Sequence, residues 1–451
     1  MKSNKLYIIL ILLQIVLGAV VYLAPVASKL IFLSAVIYFL IKIFTAPSSK
    51  MGLHILFASA YFVGAETFFR MTGGSFLYES SKYLVIIFMF IGVVFRGIST
   101  RAYPYFIYII LLLPSIVVAA VVLDYDLNFR TSVTFVLSGP ICLGVSALFL
   151  CNRNLTKEEL LEVMGYIGLP IVMMTTYLFL YTPSLQEVVT GTGSNFASSG
   201  GFGPNQVSTI LGLGAFVFTV RFFIKSPNLW IKTLNGVLVG VVFFRAIVTF
   251  SRGGVLTGFI MILAFLAILY LSSSTRQRQS VAVTLILFAF LGLVTWSVSS
   301  SQTSGMIDKR YANQDAAGRT KEDASTGRSD LFLGELQGFV NNPFFGVGAN
   351  GMKQYRFQSY QGIMASHNEI SRLLAEHGFL GIIMLIILIF KPLMKWVQNR
   401  SNIFLFAFLC FWFATINHSA MRLAAPGFVY ALSLLNIVHG KRSLHRKSIT
   451  A

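Results

Sequence analysis

Long apolar runs, repeated along almost the whole chain, constrain the fold more than any other feature of the sequence. Hydrophobic residues make up 56% of the 451 residues and charged residues 11%, whereas a soluble domain carries about 25% charged residues. Most runs approach the ~20 residues that an α-helix needs to cross a bilayer. No stretch alternates strands and amphipathic helices over enough length for a large soluble α/β domain. We therefore predict an all-α polytopic membrane protein.

Fourteen apolar segments are found. Several are shorter than a perpendicular span requires, so we expect about 12–14 transmembrane helices. The first segment follows Lys2 and Lys5, and Pro25 disrupts the obvious cleavage site, so it is interpreted as a retained span rather than a signal peptide. The segments are 6–23, 29–44, 51–69, 83–99, 104–123, 131–150, 165–181, 204–224, 229–250, 254–271, 281–299, 378–391, 401–417 and 422–439.

Basic residues predict how these segments are oriented. The net charge of +19 is concentrated in short loops, which is typical of topology signals and lipid contact rather than of nucleic-acid binding. With both termini in the cytoplasm, every inner loop carries at least two Lys or Arg residues. The chain then divides into N-terminal helices (1–199), helices around an SRGG turn (200–299), a large outer loop (300–377), and C-terminal helices with a basic tail (378–451).

In this orientation three polar segments lie on the outer face, namely 182–204, the turn Ser251–Gly254 and the loop 300–377. In a bacterial inner membrane this face meets the periplasm, where neither ATP nor nucleotide sugars are available. Chemistry there needs a donor that is already activated, such as a lipid-borne one. Asp124-Tyr125-Asp126 also falls on this face, and we interpret it as an ordinary turn rather than a metal site.

Two arginines are associated with the SRGG turn. Arg252 lies within it, and Arg245 is predicted to lie two turns earlier on the same helix face, about 10 Å deeper. A cation at that depth costs about 2.5–3.5 kcal/mol to insert, so it should have an anionic partner. Arg245 either reaches the interface, pairs with a buried carboxylate such as Glu66, or joins Arg252 in binding a diphosphate, which suits planar bidentate donors. The glycines after Arg252 would let a ligand approach the backbone.

The outer loop is predicted to carry a helix that lies on the membrane surface. Thr326–Asp330 resembles a helix start, with Ser329 or Asp330 as the N-cap. An apolar stripe follows, and Asn341-Asn342-Pro343 ends the helix. Arg328 is placed at its start.

The densest group of polar residues lies in Ala365–Gly381, on a predicted helix that runs into an apolar span. A single histidine on a helix is more often structural than catalytic. His367, however, opens this helix beside a Gly-rich turn and several arginines, and imidazole is the side chain best suited to accept a proton near neutral pH. Glu376 is about two and a half turns further on, so it is expected to cap the helix or pair with an arginine.

These motifs, in this order, resemble the O-antigen ligase/polymerase superfamily. The resemblance covers about 200–390, and the N-terminal spans match only in being hydrophobic. The motifs that carry it are Gly203-Pro-Asn-Gln206, Ser251-Arg-Gly-Gly254, Gly327-Arg328, Asn342-Pro-Phe-Phe-Gly-Val-Gly348, His367-Asn368 and Glu376-His-Gly378.

The resemblance implies a GT-C-like membrane glycosyltransferase. Such an enzyme takes a glycan from undecaprenyl diphosphate and passes it to a hydroxyl of lipid A–core or of another lipid-linked repeat unit. Direct displacement at the anomeric carbon would invert its configuration. Neither a metal nor another cofactor is expected, and other polysaccharide-assembly proteins are potential partners. The expected roles are general base for His367, diphosphate binding for Arg252 and Arg328 with Arg245 and Arg372 as additions from position, and support for Asn368, Glu376 and Asn205.

Three alternatives stay open at this point. A transporter or flippase of a lipid-linked glycan would also suit an arginine-lined outer mouth, although transporters usually show related halves with paired broken helices. An O-oligosaccharyltransferase would use the same motifs with a protein acceptor. A structural or assembly subunit would not need histidine and arginine gathered in this way.

Overall fold

A computed structural model describes residues 4–123, 128–321, 328–360, 368–419 and 421–438. These ranges contain twenty α-helices and two short strands. The elements are α1 (Asn4–Leu23), α2 (Ala27–Phe44), α3 (Ser48–Met71), α4 (Ser80–Arg96), α5 (Tyr103–Leu112), α6 (Pro114–Val122), α7 (Phe129–Leu150), β1 (Asn154–Thr156), α8 (Lys157–Tyr181), α9 (Leu185–Val188), α10 (Pro204–Ile224), α11 (Leu229–Ile247), α12 (Arg252–Ser272), α13 (Thr275–Gln302), α14 (Met306–Tyr311), α15 (Arg328–Asn341), α16 (Gly351–Tyr360), α17 (Glu369–His377), α18 (Phe379–Gln398), α19 (Leu405–His418), α20 (Ala425–Leu432) and β2 (Asn436–Val438).

Eleven helical segments in the described ranges are long and apolar enough to cross a membrane. One of them, Thr100–Val122, combines a 3₁₀ turn with α5 and α6. The fold class is therefore confirmed as all-α and polytopic. All fourteen predicted segments coincide with helices, but α4, α19 and α20 have only 17, 14 and 8 residues. The predicted 12–14 spans thus exceed the eleven that satisfy the length of a perpendicular crossing.

Proline and glycine within the spans shape the packing. Pro114 separates α5 from α6, because its ring removes a backbone donor at that point. A Cβ on Gly212 would lie 2.9 Å from the carbonyl oxygen of Gly254 and 3.1 Å from Gly258 Cα. These three glycines let α10 and α12 cross in close backbone contact.

The core of the bundle is built from α3, α7, α8 and α10, whose side chains are mostly buried. Helices α1, α2 and α13 lie at the periphery and leave most of their apolar side chains exposed. Since lipid tails are as apolar as these side chains, such exposure is expected of helices that face a bilayer.

The two ends of the bundle differ. At one end, called the strand end, β1 and β2 pair in parallel, and Lys395 donates to the side chains of Asn152 and Asn436. At the opposite end, called the loop end, lie the segments 182–203, 248–251 and 303–321. The polar motifs of the sequence gather at the loop end.

Candidate active site

Hydrogen bonds to backbone carbonyls bring the loop-end segments together around the turn 248–251. The amide of Asn195 donates to the carbonyl of Thr249 over 3.0 Å, and Ser198 Oγ donates to the carbonyl of Val248 over 2.6 Å. From the other side, Arg310 Nε donates to the carbonyl of Phe250 over 3.1 Å. Three segments that the sequence places far apart therefore share one scaffold.

The SRGG turn and the GPNQ motif are in direct contact. Arg252 is the first residue of α12, and Asn205 lies in the first turn of α10. Ser251 Oγ donates to Asn205 Oδ1 over 2.7 Å, which fixes the two helix starts relative to each other.

The glycines of this turn lie at close helix contacts, and the predicted approach of a ligand to their backbone stays a prediction. A Cβ on Gly253 would overlap the His418 ring, and one on Gly254 would overlap the Ser208 side chain. They therefore allow close packing of α12 against α19 and α10. His418, which we did not single out from the sequence, lies beneath the turn with its Nε2 3.1 Å from Thr209 Oγ1.

The predicted placement of Arg245 is wrong in two respects. Arg245 ends α11, whereas Arg252 begins α12 after a turn in which Phe250 has φ +59°, so the two do not share a helix face. Glu66 pairs with Arg70 rather than with Arg245. Arg245 is 1% exposed, donates to the carbonyl of Ser198 over 2.8 Å, and lies over the Phe179 ring.

Four arginines from separate segments lie close enough to influence one another, and we call them the arginine cluster: Arg252, Arg310, Arg328 and Arg422. Partial burial, then Arg252, lowers the pKa of Arg310 and of Arg328. The pKa of Arg422 is lowered by burial, then by Arg372, with Arg328 also contributing. Because neighbouring positive charges disfavour one another, this cluster is electrostatically suited to an anion.

His367, the predicted base, lies outside the described residues, so its distance from the arginine cluster stays a prediction. Its neighbour Asn368 is the N-cap of α17 and accepts from the amides of Ile370 and Ser371. Asn368 Nδ2 also donates to Asn417 Oδ1 over 3.0 Å. The chain is therefore anchored one residue after His367.

The sequence predicted that helix α17 continues into the following span, but the structure separates α17 from α18. It has nine residues and stops at Gly378, whose φ of +61° breaks the helix before α18. A side chain at Gly378 would also overlap the backbone of Phe344, and Gly346 packs on α17 at the same tight crossing. The loop 342–348 is thus seated on the end of α17.

Arg372 is held within α17 by two carboxylates. It pairs with Glu369 and, over 3.3 Å, with Glu376, and it donates to the carbonyl of Val136. Burial alone would lower the pKa of Arg372, but Glu369 and Glu376 more than offset this and raise it. The prediction that Glu376 pairs with an arginine is confirmed. Burial raises the pKa of Glu376 to about 7, although Arg372 opposes that rise.

Another buried carboxylate joins three of the helices in the large loop. Glu335 of α15 accepts from Arg356 of α16 and from Ser371 of α17. Helix α15 begins at Arg328, earlier than the predicted caps Ser329 and Asp330. Its packed face consists of Gly334, Glu335 and Gly338, whereas several of its apolar side chains are exposed, among them Phe332, Leu333 and Val340.

A further ionic network underlies the cluster. Arg70 pairs with Glu66, and its Nη1 donates to the carbonyl of Arg422 over 3.3 Å. Glu66 also accepts from the amide of Ala424 over 2.7 Å. This network fixes the turn that carries Arg422 against α3.

Arg310 and Arg422 are the candidate functional residues that sequence reasoning missed. Arg310 lies in the polar part of the loop, and Arg422 is the first residue of the last apolar segment, so neither stands in a recognised motif. One sequence signal could have indicated both residues. Each is an arginine beside an apolar helix, on the membrane face that is also predicted for the SRGG turn.

Asp124-Tyr125-Asp126 lies outside the described ranges, so its interpretation as a turn stays a prediction. Within those ranges no group of three or more His, Cys, Asp or Glu side chains is placed to hold a metal ion.

Comparison with known proteins bears on this site. The family model described as O-antigen ligase matches residues 236–386, which confirms the resemblance seen in the sequence. The matched region contains Arg252, Arg310 and Arg328, together with α17. No curated protein matches the chain.

Proposed function

We propose that this multi-pass membrane protein transfers a glycan from undecaprenyl diphosphate to an acceptor hydroxyl, because residues 236–386 match the family model described as O-antigen ligase. The acceptor is lipid A–core or another lipid-linked repeat unit. The family supports glycan transfer in general, and the donor and acceptor are our proposal.

The observation that carries this proposal is the arginine cluster. Four guanidinium groups, from α12, α14, α15 and the turn before α20, lie within electrostatic reach of one another, and that of Arg310 also donates to the turn 248–251. Planar guanidinium groups bind phosphate oxygens in pairs and stay charged at any physiological pH. A lipid-borne diphosphate is the anion that fits such a cluster at one end of a membrane bundle.

The proposed reaction is a single displacement. His367 takes the proton of the acceptor hydroxyl while its oxygen attacks the anomeric carbon of the donor glycan. The bond between that carbon and the diphosphate oxygen breaks, and both electrons leave with the diphosphate. The arginine cluster stabilises the charge that develops on this leaving group. The product has the inverted anomeric configuration.

Within this reaction we assign Arg252 and Arg328, with Arg310 and Arg422, to the diphosphate. Arg372, Glu376 and Asn368 hold α17 and so position the residue that precedes it. Asn205 holds the SRGG turn through Ser251. Arg245 lies apart from the cluster and is considered separately below.

We further propose that the loop end faces the periplasm and that both termini are cytoplasmic, in the bacterial inner membrane. The distribution of Lys and Arg along the loops supports this orientation.

The test is reconstitution of the purified protein in liposomes with an undecaprenyl-diphosphate-linked glycan and a glycan acceptor. We expect a new glycosidic bond, and His367→Ala should reduce its rate by about 10²–10⁴-fold, the usual contribution of a general base. Arg319→Ala is the matched control, because Arg319 lies in the same loop, pairs with Asp315, and has a side chain that is 82% exposed. Transbilayer movement of the donor without bond formation would overturn the proposal in favour of a flippase.

A further inference from the structure

An apolar groove of about 470 Å³ lies on the side of the bundle between α8, α11 and α13. Helix α11 packs against both neighbours, and the groove lies in the space between α8 and α13. Its walls include Val237, Val294 and Val298, which are about half exposed. The groove is therefore open toward the surroundings of the bundle, which in a membrane are lipid.

The groove runs from the loop end toward the middle of the bundle. Its residues on α11 extend from Val237 to Arg245, about 12 Å along the axis at 1.5 Å per residue. Thr182 and Gln302 lie at its loop-end margin. A chain in this groove would lie along the helices, with its head at the loop end.

Arg245 lines this groove, and an anion would stabilise its buried positive charge. It is 1% exposed, and among the described residues no carboxylate forms an ion pair with it. Its Nε has no hydrogen-bond partner in that part of the chain, while another nitrogen donates to Ser198. Buried charges in membrane proteins are normally paired, so a ligand with a negative headgroup fits this position.

The groove adjoins the candidate active site through the turn 248–251. Arg245 binds the carbonyl of Ser198, and Ser198 binds the carbonyl of Val248. Two residues further along, the carbonyl of Phe250 accepts from Arg310 of the arginine cluster. A lipid whose chain fills the groove thus has its head beside Arg245, one turn of backbone away from the cluster.

We propose that this groove binds the polyprenyl chain of the donor, with Arg245 contacting the diphosphate at its chain-proximal end. This inference rests on the proposed function, because it supplies the lipid part of that substrate. It also gives Arg245 a role distinct from that of the cluster, which holds the diphosphate at its sugar-proximal end.

Gly240→Phe tests the groove directly. Gly240 lines it, and an added Cβ would lie 3.4 Å from Leu291 Cδ1 and 3.6 Å from Thr295 Oγ1, so the ring fills the groove at the expense of flexible neighbours. With an undecaprenyl donor, we expect KM to rise by about tenfold or more as apolar contacts with the chain are lost. With a dimethylallyl diphosphate donor carrying the same glycan, KM should be unchanged, because its five-carbon chain ends short of Gly240, which lies about 7.5 Å along α11 from Arg245.

Gly292→Phe is the matched control. Gly292 lies on the same helix as the groove residues Leu291 and Val294, but an added Cβ there meets nothing within 4 Å. It should therefore change neither donor's KM. Arg245→Gln should raise KM for both donors alike, because both carry the diphosphate.

The outcomes separate this proposal from the proposed function. If Gly240→Phe behaves like Gly292→Phe with the undecaprenyl donor while transfer proceeds, the groove proposal is overturned and the function stands. If no donor gives a glycosidic bond, the function itself fails. A photoreactive polyprenyl diphosphate should cross-link to α11 or α13, and cross-links confined to other helices, or equal cross-linking by a photoreactive phospholipid, would also overturn the proposal.

Discussion

The arginines at the loop end fall into two groups that differ in what surrounds them. Arg372 and Arg70 are bound by carboxylates from their own helices, Glu369 and Glu376 in one case and Glu66 in the other. The arginine cluster instead places guanidinium groups beside one another. Accordingly the pKa of Arg372 is raised despite its burial, whereas burial and neighbouring arginines lower the pKa of Arg310 and Arg328.

If the arginine cluster binds the diphosphate as proposed, the environment, and not the residue type, separates a structural arginine from a ligand-binding one. A guanidinium matched by carboxylates stabilises the fold and has little charge left for a substrate. Neighbouring guanidinium groups repel one another, so binding of an anion gives them the greatest electrostatic stabilisation. The predictions below test whether the two groups respond differently to the same substitution.

The largest effect is expected on stability when Arg372 is replaced by Ala. Removal of one partner of a buried ion pair costs about 3–5 kcal/mol, because Glu369 and Glu376 are left buried without a counter-charge. The measurement is the melting temperature of the purified protein in detergent. Addition of Glu369→Gln should restore part of the loss. A stable but inactive Arg372→Ala would move Arg372 into the ligand-binding group.

The double variant Arg252→Ala with Arg328→Ala should show the opposite behaviour. We expect the melting temperature to stay near that of the wild type, while transfer falls by about 10²–10³-fold, the usual cost of removing a preorganised donor to a developing negative charge. Lys substitutions should recover little of the activity, because ammonium lacks the forked donor geometry. Arg319→Ala is again the control. A large loss of stability in the double variant would mean that Arg252 and Arg328 also stabilise the fold, and the two groups of arginines would then not differ.

Glu376 provides a pH-dependent test of the paired group. Its pKa is raised from 4.5 to about 7 by burial, so the folded protein holds this proton more tightly than the unfolded chain. The stability it contributes is therefore full below pH 4.5, and decreases as the pH rises to about 7. Glu376→Gln should remove this part of the decrease in melting temperature. Glu158→Gln, at an exposed position on α8, should leave the pH profile unchanged.

The smallest effect is expected for Asn205→Ala, which removes the acceptor of the Ser251 hydroxyl. Loss of one hydrogen bond costs about 0.5–1.5 kcal/mol in stability. Transfer should decrease only severalfold, because Arg252 keeps its place at the start of α12. Ser251→Ala should give a similar result, and a much greater loss from Asn205→Ala alone would assign Asn205 a direct contact with substrate.

The sequence was sufficient for the helices but not for the details of their ends. Apolar length and the positions of Pro114 and Gly212 predict spans, kinks and a close crossing, because these depend on local chemistry. The separation of α17 from α18 depends on Gly378 packing against the loop 342–348. Such a tertiary contact has no local signature.

Prediction of the site was limited in the same way. The motifs identify Arg252 and Arg328, yet the partners of Arg372 and the separate position of Arg245 depend on which helices become neighbours. The Arg310 side chain is held by the carbonyl of Phe250, and the carbonyl of Arg422 accepts from the side chain of Arg70. Neither contact could be inferred from spacing along the chain.

The pairing of β1 with β2 has a consequence for biogenesis. Asn154 and Asn436, which face each other in this small sheet, are 282 residues apart. During synthesis, β1 emerges early and must wait for nearly all later helices before its partner strand is made. The two strands can therefore pair only after the last helix has been inserted. A chain whose synthesis stalls before Asn436 lacks β2 and leaves β1 without its partner strand.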